Sequence, residues 1–123
     1  NKIFGAAILK KEDLSTVVIG TNNEVMNPLY HGEISTIYEY FNLDLNKKIK
    51  PTECIFLSTH EPCSLCLSAI TWSGFDNFYY LFPYSDTKNK FNITHDLKIL
   101  KEVFGITKGK YNKENTYWKS YSR

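Results

Sequence analysis

The stretch that most constrains this chain is "CIFLSTHEPCSLCLSAITW", residues 54 to 72. An apolar run from Cys54 to Thr59 ends in the turn His60-Glu61-Pro62 and passes into a segment that is apolar all round. A strand without polar alternation suits a layered sheet buried on both faces, and a helix without a polar stripe is packed on most of its surface. Pro62 fits the helix entrance, where its fixed φ and missing N–H cost nothing, and Gly74 supplies the stop.

The flanking sequence extends the pattern. "FGAAIL" (4 to 9) and "STVVIG" (15 to 20), joined by the charged "KKED", read as a hairpin. A loop rich in asparagine follows, and then Ile34, Ile37, Tyr38 and Phe41 recur at the spacing of one helix face, placing a helix start at or beside His31. "NFYYLF" (77 to 82) reads as a further strand, and "HDLKILKEVF" as a helix with Leu97, Leu100 and Phe104 along one side and Gly105 as its stop. The order is β-β-α-β-α-β-α. Crossovers of this length imply parallel pairing of the later strands, while the opening hairpin pairs antiparallel. The expected fold class is therefore α/β, with a mixed sheet of four to five strands and helices on its faces. With 123 residues, 42% of them hydrophobic, and nine tyrosines and eight phenylalanines to fill a core, the chain reads as a single domain, 1–123. No repeat, low-complexity tract or dividing linker interrupts it.

Three cysteines without regular spacing argue against a secreted disulfide framework and for thiol or metal chemistry in a reducing compartment, so the expected location is cytoplasmic. There is no apolar run of membrane-spanning length and no signal-like leader, so no membrane partner is expected. The net charge of +2 does not demand a nucleic-acid partner. The basic, aromatic segment 108–123 leaves two readings open. It is either a tail whose aromatics dock on the domain or a second subunit, or a platform for RNA.

The chemistry concentrates in two motifs, His31-Gly32-Glu33 and Pro62-Cys63-Ser64-Leu65-Cys66. Cysteines at i and i+3 in the first turn of a helix project from one side, and the positive end of the helix favours thiolates. His31, also at a helix entrance beside the same sheet, can converge on them. Two thiolates and one imidazole form a common zinc set that leaves a fourth position open, as catalysis needs. Glu33, a carboxylate beside an activated water, can take its proton and pass it to a leaving amine. A structural zinc completed by His60 or His95, or a redox pair, would also explain "CSLC", though the redox pair leaves His31 and Glu33 without a role. Cys54, inside the apolar strand, reads as core.

Together these motifs match the H-x-E and P-C-x-x-C pattern of zinc base deaminases, and from "FGAAIL" to "LKEVF" the chain resembles the cytidine deaminase-like superfamily. "HGEIST" is similar to fungal-type cytosine deaminases, whereas "GTNN" and "EPCSLCLSAITW" look more like bacterial guanine deaminases. The transfer-RNA adenosine deaminases share "EPC" but usually carry Ala where Gly32 sits. The resemblance implies a three-layer α/β/α sandwich around a mixed five-stranded sheet, with an N-terminal helix that would precede Asn1. It implies one zinc per chain held by His31, Cys63 and Cys66, with Glu33 as proton shuttle. Asn22 falls on the asparagine that holds the base, although the loop before the histidine motif is two residues short, which leaves Asn23 or Asn27 as alternative readers. Trp72 matches an aromatic position near the base pocket, with a core tryptophan as the other reading. Asp96 matches an acidic residue that contacts the base, or else is a helix first-turn residue favoured by the dipole. The implied reaction converts C–NH2 to C=O with loss of ammonia. The substrate expected is a small-molecule base, guanine or a close purine first and cytosine or cytidine second, acted on by a homodimer. Adenosine in transfer RNA, and an inactive zinc-stabilised interaction module, are the other readings. If Trp118 packs over the metal site, a small substrate is favoured; if it splays outward among lysines, RNA is.

Overall fold

The computed structural model describes residues 5–44, 49–87 and 93–122. Strands β1 (Gly5–Lys10) and β2 (Thr16–Thr21) form the expected antiparallel hairpin, with Ala6 opposite Gly20 and Ile8 opposite Val18. Helix α1 (Gly32–Phe41) leads to β3 (Cys54–His60), antiparallel to β1 with Phe56 opposite Ile8. Helix α2 (Ser64–Ser73) crosses to β4 (Asn77–Phe82), parallel to β3. A short turn of helix, α3 (Tyr84–Thr87), and the longer α4 (Ile93–Phe104) precede β5 (Lys119–Ser122), parallel to β4. The sheet order is β2-β1-β3-β4-β5, a mixed α/β architecture of the kind expected.

The fifth strand that the resemblance implies is β5, at a place where the sequence pattern marks none. Four residues, "KSYS", carry no apolar alternation, and the strand forms because its neighbours fix it. Trp118 is buried against Phe78, with ring centroids 4.7 Å apart, and its indole N–H donates to Thr71 on α2 at 2.8 Å. Tyr121 then stacks on Tyr79 at 4.6 Å. Trp118 therefore neither closes over the metal-ligand cluster nor splays among lysines: it belongs to the core, and the basic segment is a sheet strand with its anchor.

Helices α1, α2 and α4 place Ile37, Tyr40, Leu67, Ile70 and Leu100 in one cluster with Ile8, Phe56, Phe78 and Tyr80, so they cover the same side of the sheet. Strand β3, expected to be buried on both faces, alternates instead: Cys54, Phe56, Ser58 and His60 are buried, and Ile55, Leu57 and Thr59 half-buried. Cys54 is fully buried core. On the side away from the helices, Ile19, Ala7, Leu57, Tyr79 and Tyr121 are paired register to register across all five strands. Of the three layers the resemblance implies, the described residues build the sheet and one helical layer.

The buried face of α1 also differs from its apolar stripe. Thr36, Ile37 and Tyr40 are buried, while Tyr38 and Phe41 are 57% and 45% exposed. A close approach decides this rotation: a Cβ on Gly20 would lie 2.5 Å from Thr36 Oγ1, so α1 sits against β2 where only small groups fit. The Thr36 hydroxyl lies 2.7 Å from the Gly32 carbonyl oxygen, and the Tyr40 hydroxyl donates to the Ile49 carbonyl, fixing the start and end of the helix. Between β3 and β4, the buried Asn77 side chain accepts from Phe56 N–H at 3.2 Å and donates to the Cys54 carbonyl at 2.9 Å, supplying bonds where the parallel ladder begins.

Candidate metal and active site

The site forms at the carboxyl ends of the parallel strands, where ligand sites of open α/β sheets are expected. His31 is the N-cap of α1 and Cys63 the N-cap of α2, both with extended backbone and neither using its side chain as a cap, which leaves imidazole and thiol available. Cys66, in the first turn of α2, is fully buried beside them. His31 Nδ1 lies 3.4 Å from Cys63 Sγ and 3.7 Å from Cys66 Sγ, and the two sulfurs are 3.7 Å apart. A tetrahedral zinc with its usual bond lengths needs S···S edges of about 3.8 Å and S···N edges of about 3.5 Å. The donor set and its spacing thus fit zinc. Among the described residues no further His, Cys, Asp or Glu joins the group, so neither His60 nor His95 completes it.

Without a metal the three groups share protons unequally. Cys63 is pulled down to about 4 by the hydrogen bond from Cys66 and by the one to His31, making it a thiolate. Cys66, the donor in that bond and buried, is raised well above the ordinary thiol range. His31 is raised to about 9, chiefly by its bond to Cys63.

Glu33, two residues into the same helix entrance, is 4% exposed. Burial first, and the Cys63 thiolate second, raise its carboxyl to about 7. Ser58 explains how a protonated carboxyl is accommodated. Its hydroxyl oxygen lies 2.6 Å from the His60 carbonyl oxygen and 3.2 Å from Glu33 Oε2, with one hydrogen to give. The shorter bond takes it, and a protonated Glu33 then donates to the Ser58 oxygen. A carboxyl poised near neutrality, able to hold or release a proton beside a metal-ligand cluster, suits general acid-base work.

His31, Glu33 and Cys63 open on a cavity of about 340 Å³, also lined by Asn22, Glu24, His60, Glu61, His95 and Asp96. The structure therefore brings Asn22 and Asp96 to the cluster. Asn23 and Asn27 do not line this cavity; Asn27 Oδ1 instead accepts from Leu29 N–H at 2.9 Å, closing the loop. Trp72 is outside as well. It projects from α2 and is 90% exposed, so neither the base-pocket reading nor the core reading describes it in this chain. An all-round apolar helix hides which side faces outward, and that is how the sequence misplaced it.

Sequence reasoning also missed the support beneath the cysteines. Glu61, two residues before Cys63, is 4% exposed and accepts from Tyr84 N–H at 3.0 Å and Tyr111 O–H at 2.5 Å, with Lys113 Nζ at 3.3 Å. The Tyr84 hydroxyl donates to the Pro62 carbonyl. Glu61 stands in the "EPC" motif, the one available signal, but two of these partners, Tyr111 and Lys113, come from a segment read as tail.

Comparison with known proteins places this geometry. No curated protein sequence matches the chain. Among solved structures it is similar to a guanine deaminase from Bacillus subtilis (28% identity, TM-score 0.65, 92% of this chain and 66% of that one). It shares the fold of a structure described under A-to-I editing by tRNA:A34 deaminases at the wobble position (17%, TM-score 0.58, 98% and 82%). The same holds for a dCMP deaminase from the cyanophage S-TIM5 (15%, TM-score 0.55, 98% and 79%). The chain spans just under two thirds of the length of the guanine deaminase. Residues 1–82, which hold both motifs, match the model of the cytidine and deoxycytidylate deaminase zinc-binding region. By that match the chain is a member of the cytidine and deoxycytidylate deaminase family, within the cytidine deaminase-like superfamily.

Proposed function

We propose that this protein is a zinc-dependent hydrolytic deaminase of a free nucleobase, guanine or a close purine first and cytosine second. The observation that carries the reading is the buried Glu33 carboxyl on the wall of one cavity with His31 and Cys63, two members of the His31, Cys63 and Cys66 cluster. A zinc ion held by those three residues would supply Lewis-acid activation of water at neutral pH. Glu33 would take one proton from that water and give it to a ring nitrogen as the water oxygen bonds to the amino-bearing carbon, and would carry the second proton to the amine, so that the C–N bond breaks, C–NH2 becomes C=O and ammonia leaves. The backbone N–H groups at the start of α2 would support developing negative charge.

Two features support a small, unphosphorylated substrate. The cavity is at the lower end of the ~300–1,000 Å³ usual for small-molecule sites. Among the described residues its lining holds Glu24, Glu33, Glu61 and Asp96 but no lysine or arginine, a poor host for a phosphate. Asn22 supplies an amide for the base edge, and Asp96 can accept from the N–H groups of a guanine edge, which cytosine presents less fully. The similarity to the Bacillus subtilis guanine deaminase points the same way. The exposed Tyr117 and the partly exposed stack of Tyr79 on Tyr121 support a homodimer, which light scattering tests. Ammonia release from zinc-loaded protein, measured with guanine, cytosine, adenine, their nucleosides and transfer RNA, tests the substrate. Turnover of guanine above the rest is expected; activity confined to transfer RNA, or none with any of them, overturns it.

A further inference from the structure

We infer that Glu24 is a positioning residue that orients both His31 and Asn22, a role that rests on the deaminase reading of the cavity. Glu24 lies on the loop between β2 and α1, and its two carboxylate oxygens face different partners. Oε1 is 3.5 Å from His31 Nε2, and Oε2 accepts from Asn22 Nδ2 at 3.3 Å. The loop that carries it is closed by backbone bonds from Asn23 N–H to the Tyr30 carbonyl at 2.7 Å and from Tyr30 N–H to the Asn27 carbonyl at 2.9 Å. Glu24 is thereby held at the cavity although its side chain is 48% exposed.

Each contact has a definite consequence. His31 turns Nδ1 to the two sulfurs, so its metal-facing nitrogen is Nδ1 and its remaining N–H is on Nε2, the atom that faces Glu24. A carboxylate there selects that tautomer, holds the ring plane and makes the imidazole a better donor to a metal. At Asn22 the bond assigns the amide: the nitrogen goes to Glu24, and the carbonyl oxygen is turned to the other side, where a base N–H can be accepted. A single carboxylate therefore couples the metal ligand to the substrate amide.

The test separates the two contacts. Glu24→Ala removes both; Glu24→Gln keeps an oxygen for Asn22 but removes the charge facing His31. Zinc affinity, measured by competition with a chelator, should fall about tenfold in both variants, the low end for removal of a ligand's hydrogen-bond partner because this carboxylate is half-exposed. The Asn22 side-chain N–H2 resonance should shift in Glu24→Ala and stay near its original position in Glu24→Gln, and the KM for guanine should rise in the alanine variant alone. Zinc affinity within about twofold of the parent in Glu24→Ala, or an Asn22 resonance that moves equally in both variants, overturns the assignment. If affinity and resonance respond as expected but the parent turns over no base, the deaminase reading fails and the positioning role stands.

Discussion

The Tyr111 hydroxyl donates to the buried Glu61 carboxylate at 2.5 Å, tying the segment before β5 to the residue two places ahead of Cys63. With the Tyr84 amide and the Lys113 ammonium, it surrounds a charge that burial would otherwise penalise. Tyr111→Phe should therefore cost about 1.5–3 kcal/mol, the usual range for a hydrogen bond to a charged group. Urea unfolding measures it, and a loss below about 0.5 kcal/mol would show that Lys113 and Tyr84 suffice.

Glu33→Gln should keep zinc and lose about 10²- to 10⁴-fold in turnover, because the amide resembles the carboxyl in shape but accepts no proton. Activity within about tenfold of the parent would remove Glu33 from the mechanism.

The same substitution has a stability signature in metal-free protein. The folded carboxyl titrates near 7, above its ordinary 4.5, so the folded chain binds more protons than the unfolded one between these values. Stability contributed by the protonated group is present below about 4.5 and lost as pH rises to about 7. Glutamine does not titrate, so Glu33→Gln should match the parent near pH 4 and exceed it by about 1–3 kcal/mol at pH 8. An offset independent of pH would place the titration elsewhere.

Zinc uptake should release protons. At pH 7.5 His31, raised to about 9, and Cys66, raised well above the thiol range, both hold protons that must leave before they bind metal, whereas Cys63 is already a thiolate. About two protons per zinc are expected, measured by calorimetry in buffers of different ionisation enthalpy; release near zero contradicts this account of the cluster. Cys63→Ser should lose metal and the zinc-dependent rise in Tm together.

The two tryptophans should behave oppositely. Trp118→Ala opens the core beside Phe78 and Thr71 and should cost about 3–5 kcal/mol, whereas Trp72→Ala, at 90% exposure, should stay within about 0.5 kcal/mol. Comparable losses in chemical denaturation would mean that Trp72 is covered in solution.

Local pattern made the first four strands, the helices α1, α2 and α4 and the metal motifs legible, because each depends on residues close in sequence: the β-branched run of β2, the apolar run of β3, and Cys63 and Cys66 one helical turn apart. The rest depends on distant partners. The alternation of β3 follows from which side the helices cover, the facing of α1 from the approach of Thr36 to Gly20, and β5 from Trp118 finding Thr71 and Phe78. His31 and Glu33 were readable as a motif, but Ser58, Glu61 and Glu24 were not. Their roles arise from neighbours that no spacing rule joins, and Tyr111 stands fifty residues from Glu61.

That separation sets an order of events during synthesis. The cysteine helix leaves the ribosome well before Tyr111 and Lys113, and until they follow, Glu61 lacks two of the groups that hold it. A nascent chain can thus gather its metal ligands early yet fix them only once Tyr111 and Lys113 have emerged. Shortening the chain ahead of Tyr111 would therefore damage a centre whose own residues were untouched.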